Sequence, residues 1–284
     1  MLKRPAFNQS HQVSVFALSR RRRQRTRGAG LRRDALEKIF GLFAVVAIVV
    51  VANPAYSQKK ITGWSISCGV DKGAMKKTGN SYLFRPSSNK CDGDTPWGWK
   101  QRTEISSKQY KPTLRGTYLF ETTLALKSSS TQRFDVFQMH DGRQACAPPL
   151  KVEWSANNRL SLVGGYKVQG KGEDYCLENN ITTKNVQNAP LRRDGREYLF
   201  QVLITFDGSG AFIVSVSIDG NKAVEGRYGP NLRLKNARSV TGIKMNAPVF
   251  EMPKKYYFKH GVYSQKAFNF ELRSDDLSMQ RVKR

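Results

Sequence analysis

The chain reads as an all-β protein, two antiparallel sheets packed as a sandwich or β-jelly roll, and three observations predict it. From Gln58 onward the sequence holds many short runs of alternating apolar and polar residues and few stretches with a helical apolar stripe. Asp-Gly steps at 141–142, 207–208 and 219–220 fall between such runs, where they make tight turns. The 227 residues beyond position 57 suffice for one domain with a large core, an ordinary size for a sandwich.

Ile61 to Cys68 opens the fold. Asp71 to Lys100, rich in Gly, Ser, Asn and Lys with Pro86 and Pro96, reads as loops around a short strand at Ser81 to Arg85. Arg102 to Ile105 is a short strand on which Arg102 and Glu104 point the same way. Gly116 to Leu126 alternates Tyr118, Phe120, Thr122, Leu124 and Leu126 with Leu119, Glu121, Thr123 and Ala125, a good sandwich strand. Arg133 to His140 sends Phe137 and Met139 to the core and Val136, Gln138 and His140 to the opposite side. Val152 to Trp154 and Leu160 to Val163 form a hairpin about Ala156-Asn157-Asn158. Tyr198 to Phe206, Ala211 to Ile218 and Lys222 to Arg227 make a meander whose Asp-Gly turns lack the carboxylate spacing of a calcium loop. Tyr256 to Gln265 and Ala267 to Leu272 supply the last two strands.

Residues 1–57 are expected to stand apart from this fold. A basic run from Arg20 to Arg33, an apolar run from Ile39 to Ala52 and the exit Ala55-Tyr56-Ser57 describe a secretory signal cleaved before Gln58. The competing reading is a retained anchor, but the apolar run is shorter than the roughly 20 residues a span needs. The protein is therefore expected to be secreted or periplasmic, with residues 58–284 as its one domain. Of 48 Lys/Arg and 22 Asp/Glu, the first 57 residues hold 11 and 2, so the domain keeps 37 against 20, a formal charge of +17. An exported domain this basic suits an anionic polysaccharide, an anionic envelope surface or extracellular nucleic acid. No aromatic-basic reading motif supports nucleic acid, and a soluble monomer on anionic polysaccharide is expected.

All four cysteines lie past the expected cleavage site, and an oxidising compartment favours two disulfides. Proximity favours Cys68 with Cys91 and Cys146 with Cys176, although three pairings are possible. The cysteine spacings match no zinc module, and neither a metal nor another cofactor is expected.

The most informative strand is Tyr256-Tyr257-Phe258-Lys259-His260-Gly261-Val262-Tyr263-Ser264-Gln265. Alternation puts Tyr257, Lys259, Tyr263 and Gln265 on one polar, cationic face around Gly261, and His260 on the other. This stretch, with Arg102-Thr103-Glu104-Ile105 and Gln138-Met139-His140, resembles in order and spacing the three signature segments of the family-seven polysaccharide lyases, mostly alginate lyases. Their patterns are Arg-(Ser/Thr)-Glu-Leu, Gln-(Ile/Val)-His and Tyr-Phe-Lys-Ala-Gly-Val-Tyr-Asn-Gln. The resemblance spans roughly Gln101 to Leu272 and implies a concanavalin-like jelly roll whose concave sheet binds the polymer. It implies β-elimination, with Arg102, Gln138, His140 and Tyr263 in catalytic positions and Lys259 and Gln265 beside them. Tyr257, on the same strand face, and Glu104, expected to orient the Arg102 guanidinium, join Lys259 and Gln265 as expected substrate-binding residues. Departures are Ile105 for Leu, Met139 for Ile or Val, His260 for Ala and Ser264 for Asn, and they bear on the substrate more than on the chemistry. Heparin-lyase-like and glucuronan-lyase-like jelly rolls share a similar layout.

The residue types suit the reaction independently of the family. Removing the weakly acidic C5 proton of a uronate requires neutralising its carboxylate, for which Arg102 offers a bidentate cation and Gln138 an amide donor. A base then takes the proton and an acid protonates the departing glycosidic oxygen. Tyr263 can do either, and His140 can serve as base or hold Tyr263 in its reactive state. The plain alternative for Gln138 and His140 is a hydrogen-bonded pair on a sandwich face. A noncatalytic carbohydrate-binding sandwich with the same basic face is the second functional reading. A glycoside hydrolase would need two carboxylates flanking the bond, and Glu104 is the only carboxylate in the three segments.

Overall fold

The computed structural model describes residues 60–67, 70–87, 101–142, 146–170, 172, 175–179, 181–229, 241–243 and 249–282. The expected export segment and the Cys68–Cys91 pairing lie outside them. Fifteen strands, all paired antiparallel, make two sheets among these residues. The first, in spatial order, is β1 (Ser65–Ile66), β4 (Gln101–Ser106), β14 (Tyr257–Ser264), β6 (Phe134–His140), β7 (Leu150–Trp154), β8 (Leu160–Lys167) and β9 (Cys176–Asn179). The second is β10 (Thr182–Asn185), β13 (Asn221–Tyr228), β12 (Phe212–Ile218), β11 (Asp194–Asp207), β5 (Arg115–Lys127), β15 (Glu271–Val282), β3 (Ser81–Phe84) and β2 (Met75–Thr78). The all-β jelly-roll expectation describes this architecture. Among the described residues no helix is long and apolar enough to cross a membrane.

Burial follows the alternation on β5, β11 and β12, whose inward residues include Phe120, Leu124, Phe200, Val202, Ile204, Val214 and Val216. Phe120 packs on Phe137 of the first sheet at 4.8 Å between ring centroids. A buried aromatic of this kind adds about 0.5–1.5 kcal/mol per ring pair beyond its area. Cys146, ahead of β7, is bonded to Cys176 at the start of β9. That bridge closes a 30-residue separation, for which chain entropy supplies about 2–4 kcal/mol.

Three expectations need correction. Val136 faces the core, not the polar side with Gln138 and His140. It is an extra residue between the Asp135–Glu153 and Phe137–Val152 pairs, a β-bulge that reverses the parity of β6 and turns Asp135 outward. The final strand is Glu271–Val282, not Ala267 to Leu272. Phe268 and Phe270 are buried as their spacing suggests, but the ladder to β5 begins at Glu271, opposite Lys127. A second bulge, between Asp275 and Ser278, carries Asp276 at φ 54° and lets Leu272, Ser274, Leu277 and Met279 all point inward. The short strands β2, β9 and β10 also went unread, because four residues show too little alternation to separate from loop.

His260 is structural, as its face predicts, and lies wholly between the sheets against Phe84 and Phe120. Its Nδ1 donates to the Val136 carbonyl at 2.9 Å, which leaves Nε2 to accept from Ser274 Oγ on the other sheet, also at 2.9 Å. Burial lowers its pKa from 6.5 to about 4, so the ring is neutral near pH 7. An unfolded chain protonates this ring first as pH falls. The stability it contributes is therefore full above about 6.5 and disappears by about 4. Asp135, discussed below, titrates with the opposite sign, so the prediction is a difference. The stability gap between wild type and His260→Gln, read from urea midpoints, should narrow by roughly 2–3 kcal/mol from pH 7 to pH 4. A constant gap would mean that the ring is not held neutral by burial.

Candidate active site

The outer face of the first sheet gathers the side chains singled out from the sequence. Strand β14 lies between β4 and β6, with Tyr263 opposite both Arg102 and Asp135, Lys259 opposite both Ser106 and Gln138, and Tyr257 opposite His140. Gly261 faces Glu104 across β4. Its φ is +135°, and a Cβ there would stand 2.3 Å from the Thr103 carbonyl oxygen. Between His260 and Tyr263 the β14–β6 register shifts by one residue. The glycine thus allows β14 to bulge against β6 while staying close to β4.

Glu104 is the anchor of the face. It is 2% exposed. Its Oε1 accepts from Gln138 Nε2 at 2.7 Å, and its Oε2 lies 3.7 Å from Arg102 Nε. Where the sequence suggested that Glu104 orients Arg102, its carboxylate lies nearer the Gln138 amide than the Arg102 guanidinium. Fixing that amide by one N–H leaves the second to point elsewhere. The Arg102 guanidinium lies over the Tyr263 ring, 4.9 Å from its centroid. Gln265, exposed just beyond β14, donates to the Tyr263 hydroxyl at 3.2 Å. Arg102, Glu104, Gln138, Tyr263 and Gln265 therefore form one connected group.

The other end of the strand holds a second group. His140 stacks on Tyr257 with ring centroids 5.2 Å apart and 19° between planes. The Gly142 N–H donates to His140 Nδ1 at 3.3 Å, so a neutral His140 carries its proton on Nε2. In that tautomer Nε2 is a donor, which favours the positioning role for His140 over the role of base. Lys255 and Lys259 each lie 5.9 Å from the Tyr257 ring centroid. Burial raises the Tyr257 pKa, as does the nearby Asp141, while Arg102 works against them. Its hydroxyl stays protonated near neutral pH, so Tyr257 offers a stacked ring and a hydrogen-bond donor.

Three site residues were missed. Asp135 is 4% exposed on this face, with Lys151 Nζ 3.9 Å from its carboxylate and Glu153 beside it in register. Burial pushes its carboxyl up to about 7; Lys151 pulls it down, and Glu104 and Glu153 push it up. Straight alternation extended back from Phe137 would put Asp135 in the core. An aspartate at an apparent core position was the available signal that the parity breaks there. Among the described residues no cluster of three His, Cys, Asp or Glu side chains is arranged to hold a metal ion.

No protein-family profile matches the sequence, and no curated protein does. Solved structures do align with the chain. An alginate lyase of polysaccharide lyase family 7 is 16% identical over 76% of this chain and 86% of its own, with a TM-score of 0.44. An alginate lyase from Pseudomonas aeruginosa is 14% identical over 77% and 98%, with a TM-score of 0.43. An endo-β-1,4-glucuronan lyase from the fungus Trichoderma reesei is 13% identical over 79% and 90%, also at 0.43.

Proposed function

We propose that this protein is an exported polysaccharide lyase that cleaves a uronate-containing polymer by β-elimination, with alginate-like polymers first and glucuronan or heparin-type polymers next. The observation that carries the reading is the connected group on the outer face: Arg102 over Tyr263, Glu104 fixing Gln138, and Gln265 on the Tyr263 hydroxyl. Arg102 and the free N–H of Gln138 meet the uronate carboxylate and accept the charge that flows into it. Tyr263, entering the step as a phenolate beside the Arg102 guanidinium, removes the C5 proton and becomes the phenol, the bond from carbon four to the glycosidic oxygen breaks, and a double bond forms between carbons four and five. The same phenol then returns a proton to the departing oxygen. Lys259 and Tyr257 hold neighbouring parts of the polymer, and His140 keeps Tyr257 in place. These side chains supply both proton transfers and the charge neutralisation.

One observation favours a second reading. Asp135 adds a carboxyl of raised pKa to Glu104 on the same face, and a hydrolase uses two such groups. Against it, the Glu104 side chain is 1% exposed and committed to Gln138 and Arg102, so it is poorly placed to meet a sugar or a water. Mass spectrometry of the products separates the two. Elimination yields fragments whose masses sum to that of the substrate, with an unsaturated residue at the new non-reducing end. Fragments heavier by one water would establish hydrolysis and overturn the proposal. The domain's charge of +17 adds a further expectation. Because screening acts within about 8 Å at physiological ionic strength, kcat/KM on a polyuronate should fall steadily as salt rises. A flat salt titration would remove charge steering from the account.

A further inference from the structure

Lys151 and Asp135 share the outer face with the reacting side chains but have no part in the steps above. Lys151 on β7 is the neighbour of Gln138 on the side away from Lys259. The Gln138 amide thus stands in a straight cross-sheet row between two lysines, which are about 10 Å apart by strand spacing. The Lys151 side chain is 21% exposed, and its partner carboxyl on Asp135 is 6% exposed. Placing a carboxyl there is costly, since burial alone opposes its charge and both Glu104 and Glu153 add to the penalty. Lys151 is the strongest favourable influence on it. Their 3.9 Å separation exceeds the 2.7–2.9 Å of a closed charge-assisted hydrogen bond, so the ammonium is steered by the carboxyl without being consumed by it. Glu153, next along β7, faces Arg133 at 3.8 Å and does not compete for Lys151 at that distance.

We infer that Lys151, steered by Asp135, binds the carboxylate of a second uronate beside the sugar that loses its proton, making the site selective for contiguous acidic sugars. The inference rests on the lyase reading and extends it from one sugar to two. A cross-strand pair with a purely structural role would show itself in stability and leave substrate affinity alone.

The experiment measures KM, kcat and their salt dependence on alginate and on glucuronan for wild type, Lys151→Met, Asp135→Asn and the double variant. Thermal midpoints serve as the folding control. A charge-assisted contact contributes about 1.5–3 kcal/mol, so Lys151→Met should raise KM roughly 10- to 100-fold with kcat within about threefold. Its kcat/KM should also depend less steeply on salt. Asp135→Asn should raise KM by less, and should add nothing once Lys151 is already Met. An unchanged KM and salt slope in Lys151→Met would overturn the inference, as would a loss confined to kcat. If wild type produced no unsaturated ends on either polymer, the lyase reading would fail first. Calorimetric binding of the same polymers to wild type and Lys151→Met would then decide the subsite: roughly tenfold weaker binding supports it, and equal binding overturns it.

Discussion

Tyr263→Phe is expected to abolish polymer cleavage while leaving polymer binding close to wild type. Phe keeps the ring beneath the Arg102 guanidinium, so the cation–π contact and the packing of β14 survive. What it removes is the hydroxyl that Gln265 contacts at 3.2 Å, the proposed proton carrier in both halves of the elimination. General acid or base groups typically contribute 10² to 10⁴-fold, and a group serving both steps belongs at or above the upper end. That corresponds to roughly 5 kcal/mol or more of barrier. Turnover should therefore fall at least about 10⁴-fold while the calorimetric Kd stays within a few-fold. Near-normal turnover would show that another group carries the proton, with His140 the first to test by substitution with Ala.

Gly261→Ala is expected to damage stability and activity together. No L side chain sits comfortably at φ +135°, and the new Cβ would meet the Thr103 carbonyl oxygen at 2.3 Å and Glu104 Cα at 2.9 Å. Both are backbone atoms of β4, so relief requires the strands to separate. Backbone strain of this kind costs about 1–3 kcal/mol before the displacement is counted. For a domain of this size the melting temperature should drop by roughly 5–10 °C. Separation of β14 from β4 also moves Tyr263 off Arg102, and an error near 1 Å in such a site can cost about 10²-fold in rate. Differential scanning calorimetry and initial rates on the same preparation check both halves. A variant with wild-type melting temperature and rate would show that the close approach at Gly261 is dispensable.

Much of this site was readable from alternation alone, and the places where the reading failed share a physical cause. Arg102 and Glu104, and Tyr257, Lys259 and Tyr263, fall on the predicted faces because β4 and β14 pair without a register shift. His260 was correctly set apart, because the parity that points Lys259 outward points it into the core. The β-bulge at Val136 breaks that rule on β6, hiding Asp135 and with it the significance of Lys151 and Glu153. The bulge at Asp276 did the same for β15, whose central Arg-Ser-Asp-Asp reads as a loop until Ser274 is seen donating to His260 across the sheets. A bulge needs only one extra residue and leaves little trace in composition. The Glu104–Gln138 bond was unreadable for a different reason, since it joins side chains on two strands that are not adjacent in the sheet.

β-Elimination on a uronate polymer is the function proposed for this face. Its most direct test is ultraviolet absorbance during separate incubations of the protein with alginate, glucuronan, heparin and hyaluronan. A rise from unsaturated uronate ends is expected on at least one of them, alginate first, and none with Tyr263→Phe. Binding without any rise on all four would contradict it and leave the noncatalytic carbohydrate-binding reading for this face.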